Sequence, residues 1–293
     1  MPFTPPYDVP EERRAYTMRC ESSVGCLMLH GFIGSPVSSR PMAQYLSQRG
    51  INVHCPLLPG HGQLPDKLAG IEHGAWLAEA EEALEQLRGW CDEIVLMGHS
   101  MGAVLCAHLA VQNADVRGLI LLAPLYKPPS RLISLLRVMR YVMPWLYPWR
   151  IGKLRPLARS RILDLYPDLD LDDPEVQAWL PQATRMPTAA IDEMRKMADL
   201  GRFLWPQITQ PALVFQGGRD VAVTPGNTEK VVALLGSREK ELHKFPRAGH
   251  ELMRPLDPVH EEVWSLVYEF ICWHASVAMA DPVSHRGPGA SRA

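Results

Sequence analysis

The sequence predicts an α/β protein: a mostly parallel central sheet flanked by helices, with a helical cap inserted between two of the strands. Three observations carry that prediction. Short runs rich in Val, Ile and Leu alternate with longer segments of helical period. The alternation breaks between Ala123 and Pro206, and it resumes afterwards through to His274. Parallel strands need crossover connections of this length, and helices are the usual way to make them.

Taken in order, the strands are expected at Val24–Leu29, Ile51–Cys55, Glu93–Met97, Gly118–Leu122, Ala212–Gln216 and Glu241–Phe245, with a weaker one around Arg14–Cys20. Helices are expected at Pro36–Gln48, Ala75–Arg88, Met101–Gln112, Thr228–Leu234 and Pro258–His274. Ala75–Arg88 shows the reasoning. Trp76, Leu77, Ala80, Ala83, Leu84 and Leu87 fall on one stripe, and Glu79, Glu81, Glu82 and Glu85 on the wetter face.

Between Ala123 and Pro206 lie eleven of the 27 prolines, four of the eight Trp and four of the eight Tyr, so only short helical fragments separated by prolines are expected there. The chain therefore divides into a core of residues 14–123 and 207–275, a helical cap of residues 124–206, and a small polar stretch, 276–293, expected to be a flexible tail.

Composition excludes more than it names. The 293 residues include 30 Lys+Arg against 32 Asp+Glu and are 47% apolar, which fits neither a disordered chain nor a basic nucleic-acid binder. The six cysteines show no CxxC pair or His at ligand spacing, so buried free thiols are expected, with no disulfide framework, metal or cofactor. The N-terminal MPFTPPYDVPEERRAYTMRC lacks an apolar h-region, and no run of about 18 apolar residues occurs anywhere. Cytoplasmic residence follows as the default.

The chemistry is carried by short motifs at strand ends. EIVLMGHSMGA contains Gly98-His99-Ser100-Met101-Gly102, a G-x-S-x-G between an expected strand and an expected helix. Flanking glycines permit a sharp turn that lifts the Ser100 hydroxyl clear of the backbone, and the following helix directs N–H groups at developing negative charge. A serine nucleophile needs a base, and the base an orienting acid. Asp220 stands in GGRD after one later strand, and His250 in PRAGH after the next. His243 lies inside a strand, and His260 and His274 on the last helix, so His250 is the candidate base. Asp192 and Asp199 belong to a cap helix; for Asp220 the rival role is an Asx turn ahead of Pro225. Oxyanion donors are expected at the backbone N–H of Met101 and of Phe32, in the loop His30-Gly31-Phe32-Ile33-Gly34. His30 is expected to tie that loop down by side-chain hydrogen bonds.

Together LMLHGFIGSP, LLPGHG, GHSMGA, GGRD and the AGH around His250 resemble the α/β-hydrolase superfamily. Within it they are most similar to bacterial carboxylesterases and monoacylglycerol lipases whose early loop reads HGF-x-G. Ala103 departs from the glycine that many relatives carry there. The resemblance spans nearly all of Val24 to Cys272. It implies a cofactor-free Ser100–Asp220–His250 hydrolase of carboxylic esters that works through an acyl-enzyme, with Phe32 and Met101 as oxyanion donors. The same triad also serves thioesterases, acyltransferases and carbon–carbon hydrolases, and a non-catalytic ligand binder of this fold is the reading from another class.

The cap bears on substrate. From Lys127 to Arg161 there are nine basic residues and no acidic one, interleaved with apolar residues such as Leu132, Leu135, Met139, Val142, Trp145 and Trp149. One reading is an amphipathic lid, with Arg131, Arg137 and Arg140 resting on an anionic lipid surface. The other has the apolar residues facing the core and the arginines pairing with the acidic block Asp164–Glu175. Both give a small-molecule ester substrate with an apolar acyl chain, and neither suits nucleic acid. The oligomeric state has no signature in the sequence.

Overall fold

The computed structural model describes residues 9–127 and 136–276. Residues 128–135 of the cap, Arg131 among them, and the expected tail beyond Ser276 lie outside the described residues.

A seven-stranded sheet is built from β1 (Tyr16–Met18), β2 (Val24–Leu29), β3 (Asn52–Cys55), β4 (Glu93–His99), β5 (Gly118–Leu122), β8 (Ala212–Gly217) and β9 (Lys240–Phe245). Its order is β1-β3-β2-β4-β5-β8-β9. Only β1 runs antiparallel, pairing Tyr16 with Cys55 and Met18 with Val53. The remaining pairs are parallel. A short two-stranded ribbon lies apart from the sheet: β6 (Trp145–Leu146) pairs with β7 (Met186–Pro187).

The central strands are apolar on both faces because both are covered. On β2, Leu27 and Leu29 join one core cluster while Cys26 and Met28 join the other; on β4, Leu96 divides from Val95 and Met97 in the same way. That is the period-two alternation of a strand in a double-sided core. The first face carries α2 (His73–Arg88), α3 (Met101–Gln112) and, above α3, α7 (Thr188–Leu204); the second carries α1 (Arg40–Ser47) and α9 (His260–His274). Being wedged between sheet and α7, α3 is apolar nearly all round. Edge strand β9 is the exception among the parallel strands, with Lys240, Glu241 and Lys244 exposed, which discourages further pairing.

Departures from the sequence expectation concentrate in the cap. It holds α4 (Leu136–Val142), α5 (Arg155–Leu165), α6 (Pro174–Ala183) and α7, and α7 is no fragment: 17 residues run uninterrupted because no proline falls between Pro187 and Pro206. The β6–β7 ribbon was not expected at all. Ile162, Val176, Leu180 and Ala183 form a separate small core with Trp149 and Trp179 packed on it. Two of the described arginines of the basic stretch have partners outside the acidic block. Arg140 pairs with Asp192 and Glu193 at 3.2 and 3.6 Å, and Arg161 with Glu251 at 3.3 Å. Nor do all apolar residues face inward: Val138, Tyr141 and Val142 of α4 are exposed, because its Arg140 points toward α7 instead. Expected helix Pro36–Gln48 splits into a 3-10 turn, Pro36–Ser38, and α1. Remaining elements include α8 (Pro225–Leu234), three residues longer at its start than expected. Among the described residues no helix is long and apolar enough to cross a membrane.

Candidate active site

Ser100 occupies the turn between β4 and α3 with φ 55° and ψ −111°. A side-chain-bearing residue held there costs roughly 1–3 kcal/mol, which the surroundings must offset. They do so through backbone hydrogen bonds: the Ser100 N–H donates to Leu122 at 2.9 Å, and the Leu125 N–H to the Ser100 carbonyl at 3.1 Å. Gly98 and Gly102 allow the turn to close. A Cβ on Gly102 would stand 1.9 Å from the Leu29 carbonyl oxygen, and one on Gly98 2.4 Å from that of Gly102. The spacing G-x-S-x-G is thus a steric requirement of this strand–turn–helix.

Asp220 follows β8, and His250 follows β9, both at the same sheet edge as Ser100. Asp220 Oδ2 lies 2.7 Å from His250 Nδ1, and the Asp220 side chain is fully buried. Its other oxygen, Oδ1, accepts from the N–H groups of Ala222 and Val223, each at 2.8 Å. One oxygen thus makes the Asx turn while the other faces His250. The Gly249 N–H donates to Asp257 at 3.1 Å, which steadies the His250 loop from behind. Ser100 and His250 line one cavity, together with Phe32 and the rest of the loop after β2.

That loop is held by His30, as expected. His30 Nε2 accepts from the Leu58 N–H at 3.2 Å, so Nδ1 carries the proton and donates to the Gly31 carbonyl at 3.0 Å. Burial, with His61 nearby, pushes the His30 pKa down to about 3, so the ring stays neutral in this role. The Gly34 N–H donates to the same Gly31 carbonyl at 3.0 Å. Within a planar trans peptide the N–H points opposite to the C=O, so the Phe32 N–H is turned away from these partners. The same holds for Met101, whose N–H opposes a Ser100 carbonyl engaged by Ala103 and Leu125. Gly31 brings the loop up to the turn; a Cβ there would sit 3.1 Å from that of Ser100. All five predicted site residues thus gather at one sheet edge.

Reading by motif missed the neighbours that hold this arrangement. His99 Nε2 donates to the His250 carbonyl at 2.9 Å, and the two rings lie 4.5 Å apart. Burial holds the His99 pKa down to about 4, against the pull of Glu251. The available signal was its place beside Ser100 in a buried strand. Gln216, also buried, donates to the carbonyls of Gly217 and Val223, framing the Asp220 turn. Cavity residues Arg13, Arg161, Glu251 and Arg254 come from three separate stretches of chain, so no single local pattern could mark them. Among the described residues, no three His, Cys, Asp or Glu side chains are grouped so as to hold a metal.

Residues 22–257 match the family described as "Serine aminopeptidase, S33". A thermostable monoacylglycerol lipase of Bacillus sp. (strain H-257) is 28% identical over 252 residues, covering 86% of this chain and 92% of that protein. A solved structure from work on LipS and LipT, two metagenome-derived lipolytic enzymes, is 25% identical with a TM-score of 0.74, covering 91% of this chain and all of that one. The monoacylglycerol lipase of Paleococcus ferrophilus shares the fold at a TM-score of 0.64 and 18% identity, over 89% of this chain and 98% of its own.

Proposed function

The chain belongs to the serine aminopeptidase S33 family of α/β-hydrolases, and on that premise we propose that it is a carboxylic ester hydrolase of the monoacylglycerol lipase and carboxylesterase kind. Ser100 is the nucleophile, His250 the base and Asp220 the group that orients it. The observation that carries this reading is the 2.7 Å contact of a buried Asp220 with His250 Nδ1, beside a serine in strained backbone geometry on the same cavity. With Nδ1–H engaged by the carboxylate, Nε2 is left to take the Ser100 proton as Oγ attacks the ester carbonyl. The N–H groups of Phe32 and Met101 meet the oxyanion, each supplying about 3 kcal/mol of transition-state stabilisation. The alcohol leaves with the proton held on His250; water, deprotonated by the same ring, then cleaves the acyl-enzyme.

Residues 14–123 and 207–275 supply this machinery, and the cap 124–206 governs what reaches it. An apolar acyl chain suits the cavity's Phe32, Ile33, Val37 and Leu165. Exposed Val138, Tyr141 and Val142 on the outer face of α4 favour a peripheral contact with a lipid surface through the cap. A panel of p-nitrophenyl esters of graded chain length, a monoacylglycerol and an acyl-CoA tests the reaction, with Ser100→Ala as the blank. Ester turnover is expected to fall on the order of a millionfold in that variant. A wild-type protein that cleaves no ester and takes no fluorophosphonate label at Ser100 overturns the reading. Turnover of the acyl-CoA alone moves it to a thioesterase. Flotation with liposomes should weaken when Val138, Tyr141 and Val142 are all changed to Ser.

A further inference from the structure

One nitrogen of His99 is not used by the fold. Nε2 donates to the His250 carbonyl at 2.9 Å, so it carries a proton. Burial pushes the pKa down to about 4, so near neutral pH the ring carries no second proton and Nδ1 is a bare acceptor. Nδ1 has no hydrogen-bond partner among the described residues, yet it is not one of their sealed, unpaired polar atoms. His99 is 5% exposed and lines the cavity over Ser100, so Nδ1 opens onto that cavity. Gly31 marks its position: a Cβ on that glycine would lie 3.6 Å from Nδ1 and 3.1 Å from the Ser100 Cβ. The His99 and His250 ring centres are 4.5 Å apart, close enough for one water molecule to bond to both.

An acceptor in this place selects its partner by exclusion. The ester oxygens and the oxyanion all accept, and an acyl chain offers no polar hydrogen. The water that cleaves the acyl-enzyme has two hydrogens, and His250 takes only one. Resting on the hydrolase reading above, we propose that His99 Nδ1 accepts a hydrogen bond from the other, which makes His99 a catalytic residue of deacylation that holds the attacking water. The water oxygen bonds to the acyl carbon, one proton passes to His250 Nε2, and the second stays on that oxygen. As the tetrahedral intermediate collapses, the bond to Ser100 Oγ breaks. His250 returns its proton to Oγ, and the free acid leaves. An alcohol carries carbon in place of the second hydrogen, so it forfeits the bond to His99. The site therefore favours hydrolysis over transfer of the acyl group to alcohols.

Two variants separate the two nitrogens. A Gln amide nitrogen reaches the place of Nε2, so His99→Gln can keep the bond to His250 while losing the acceptor. An Asn amide oxygen takes the place of Nδ1, so His99→Asn does the reverse. Stopped-flow with p-nitrophenyl butyrate gives acylation from the burst and deacylation from the steady state. Methanol added to the water gives the ratio of methyl ester to acid. In His99→Gln, deacylation should fall about three- to tenfold further than acylation, the range of one neutral hydrogen bond, and the product ratio should shift toward methyl ester. In His99→Asn the ratio should stay at the wild-type value, whatever the overall loss. Acylation and deacylation falling together in His99→Gln, with the ratio unmoved, overturn the proposal and leave His99 a positioning residue only. So does a loss in kcat/KM confined to 1-butyrylglycerol and absent from methyl butyrate, which assigns Nδ1 to a substrate hydroxyl. Should His99→Gln fail to fold, His99→Asn against His99→Leu, which keeps neither bond, decides by the same ratio. No turnover of any ester, with no fluorophosphonate label at Ser100, overturns the hydrolase reading instead.

Discussion

Asp220 shows how one side chain fulfils two demands that can be separated experimentally. Oδ1 closes the turn through Ala222 and Val223, while Oδ2 faces His250 Nδ1. Asp220→Asn can keep the amide oxygen on the turn, but it presents an NH₂ to Nδ1 and favours the wrong imidazole tautomer. Ester kcat should fall about four orders of magnitude with little change in the unfolding midpoint. Asp220→Ala should lose the same activity and also about 1–2 kcal/mol of stability, read from urea denaturation. Equal stability of the two variants would remove the turn role; full activity of Asp220→Asn would remove the catalytic one. Through Nε2, His99 acts at one remove by fixing the His250 carbonyl, and in that role it is a positioning residue. The GHS motif displayed it in plain view, but nothing in a strand-end histidine says which backbone it will reach across the sheet.

Among the elements, the parallel strands were legible because both faces are buried and each reads as an unbroken apolar run; β2 and β5 begin and end where periodicity put them. Charge-bearing β9 was legible only through its flanks and its spacing from β8. The cap was least legible, for a physical reason: its order comes from long-range ion pairs and from a ribbon joining residues some 40 apart, which leave no local period. The tie between α7 and the core makes the point. Glu193 is buried and accepts from both the N–H and Nδ1 of His73, the first residue of α2, at 3.2 and 2.6 Å; Lys196 and Arg140 flank it at 2.7 and 3.6 Å. Burial alone would raise its pKa, but Lys196 and His73 hold it below the usual carboxylate range. One carboxylate thus caps a core helix and anchors α4 of the cap. Glu193→Ala should cost about 1–3 kcal/mol in thermal or urea unfolding, because it takes the acceptor from the start of α2 and from three partly exposed cations. Amide exchange in α4 should quicken more than in β4. Uniform quickening would refute a local tie.

For the whole molecule, three buried histidines set a limit on acid tolerance. Burial pushes His30 down to about 3, and His61 and His99 each to about 4, from an ordinary value of 6.5. With folded values below unfolded ones, the unfolded chain binds more protons across that interval. Their contribution is therefore fully present above pH 6.5 and is lost as pH falls toward 4. Each histidine adds a slope approaching about 1.4 kcal/mol per pH unit. Urea midpoints should decline progressively from pH 7 to pH 4.5, and His61→Gln should flatten the decline by about one proton. A midpoint constant from pH 7 to 5 contradicts this. Such acid lability belongs to the site's framework, since His30 and His99 hold the Phe32 loop and the His250 backbone. The β6–β7 ribbon has a consequence of a different kind. Because Trp145–Leu146 and Met186–Pro187 are hydrogen-bonded neighbours, residues 147–185 leave and rejoin the chain at one point, carrying a small core of their own. To evolution such a segment is a cassette: it can be lengthened, exchanged or recombined between lineages without re-registering a single strand of the sheet, so specificity is free to drift while the chemistry stays fixed.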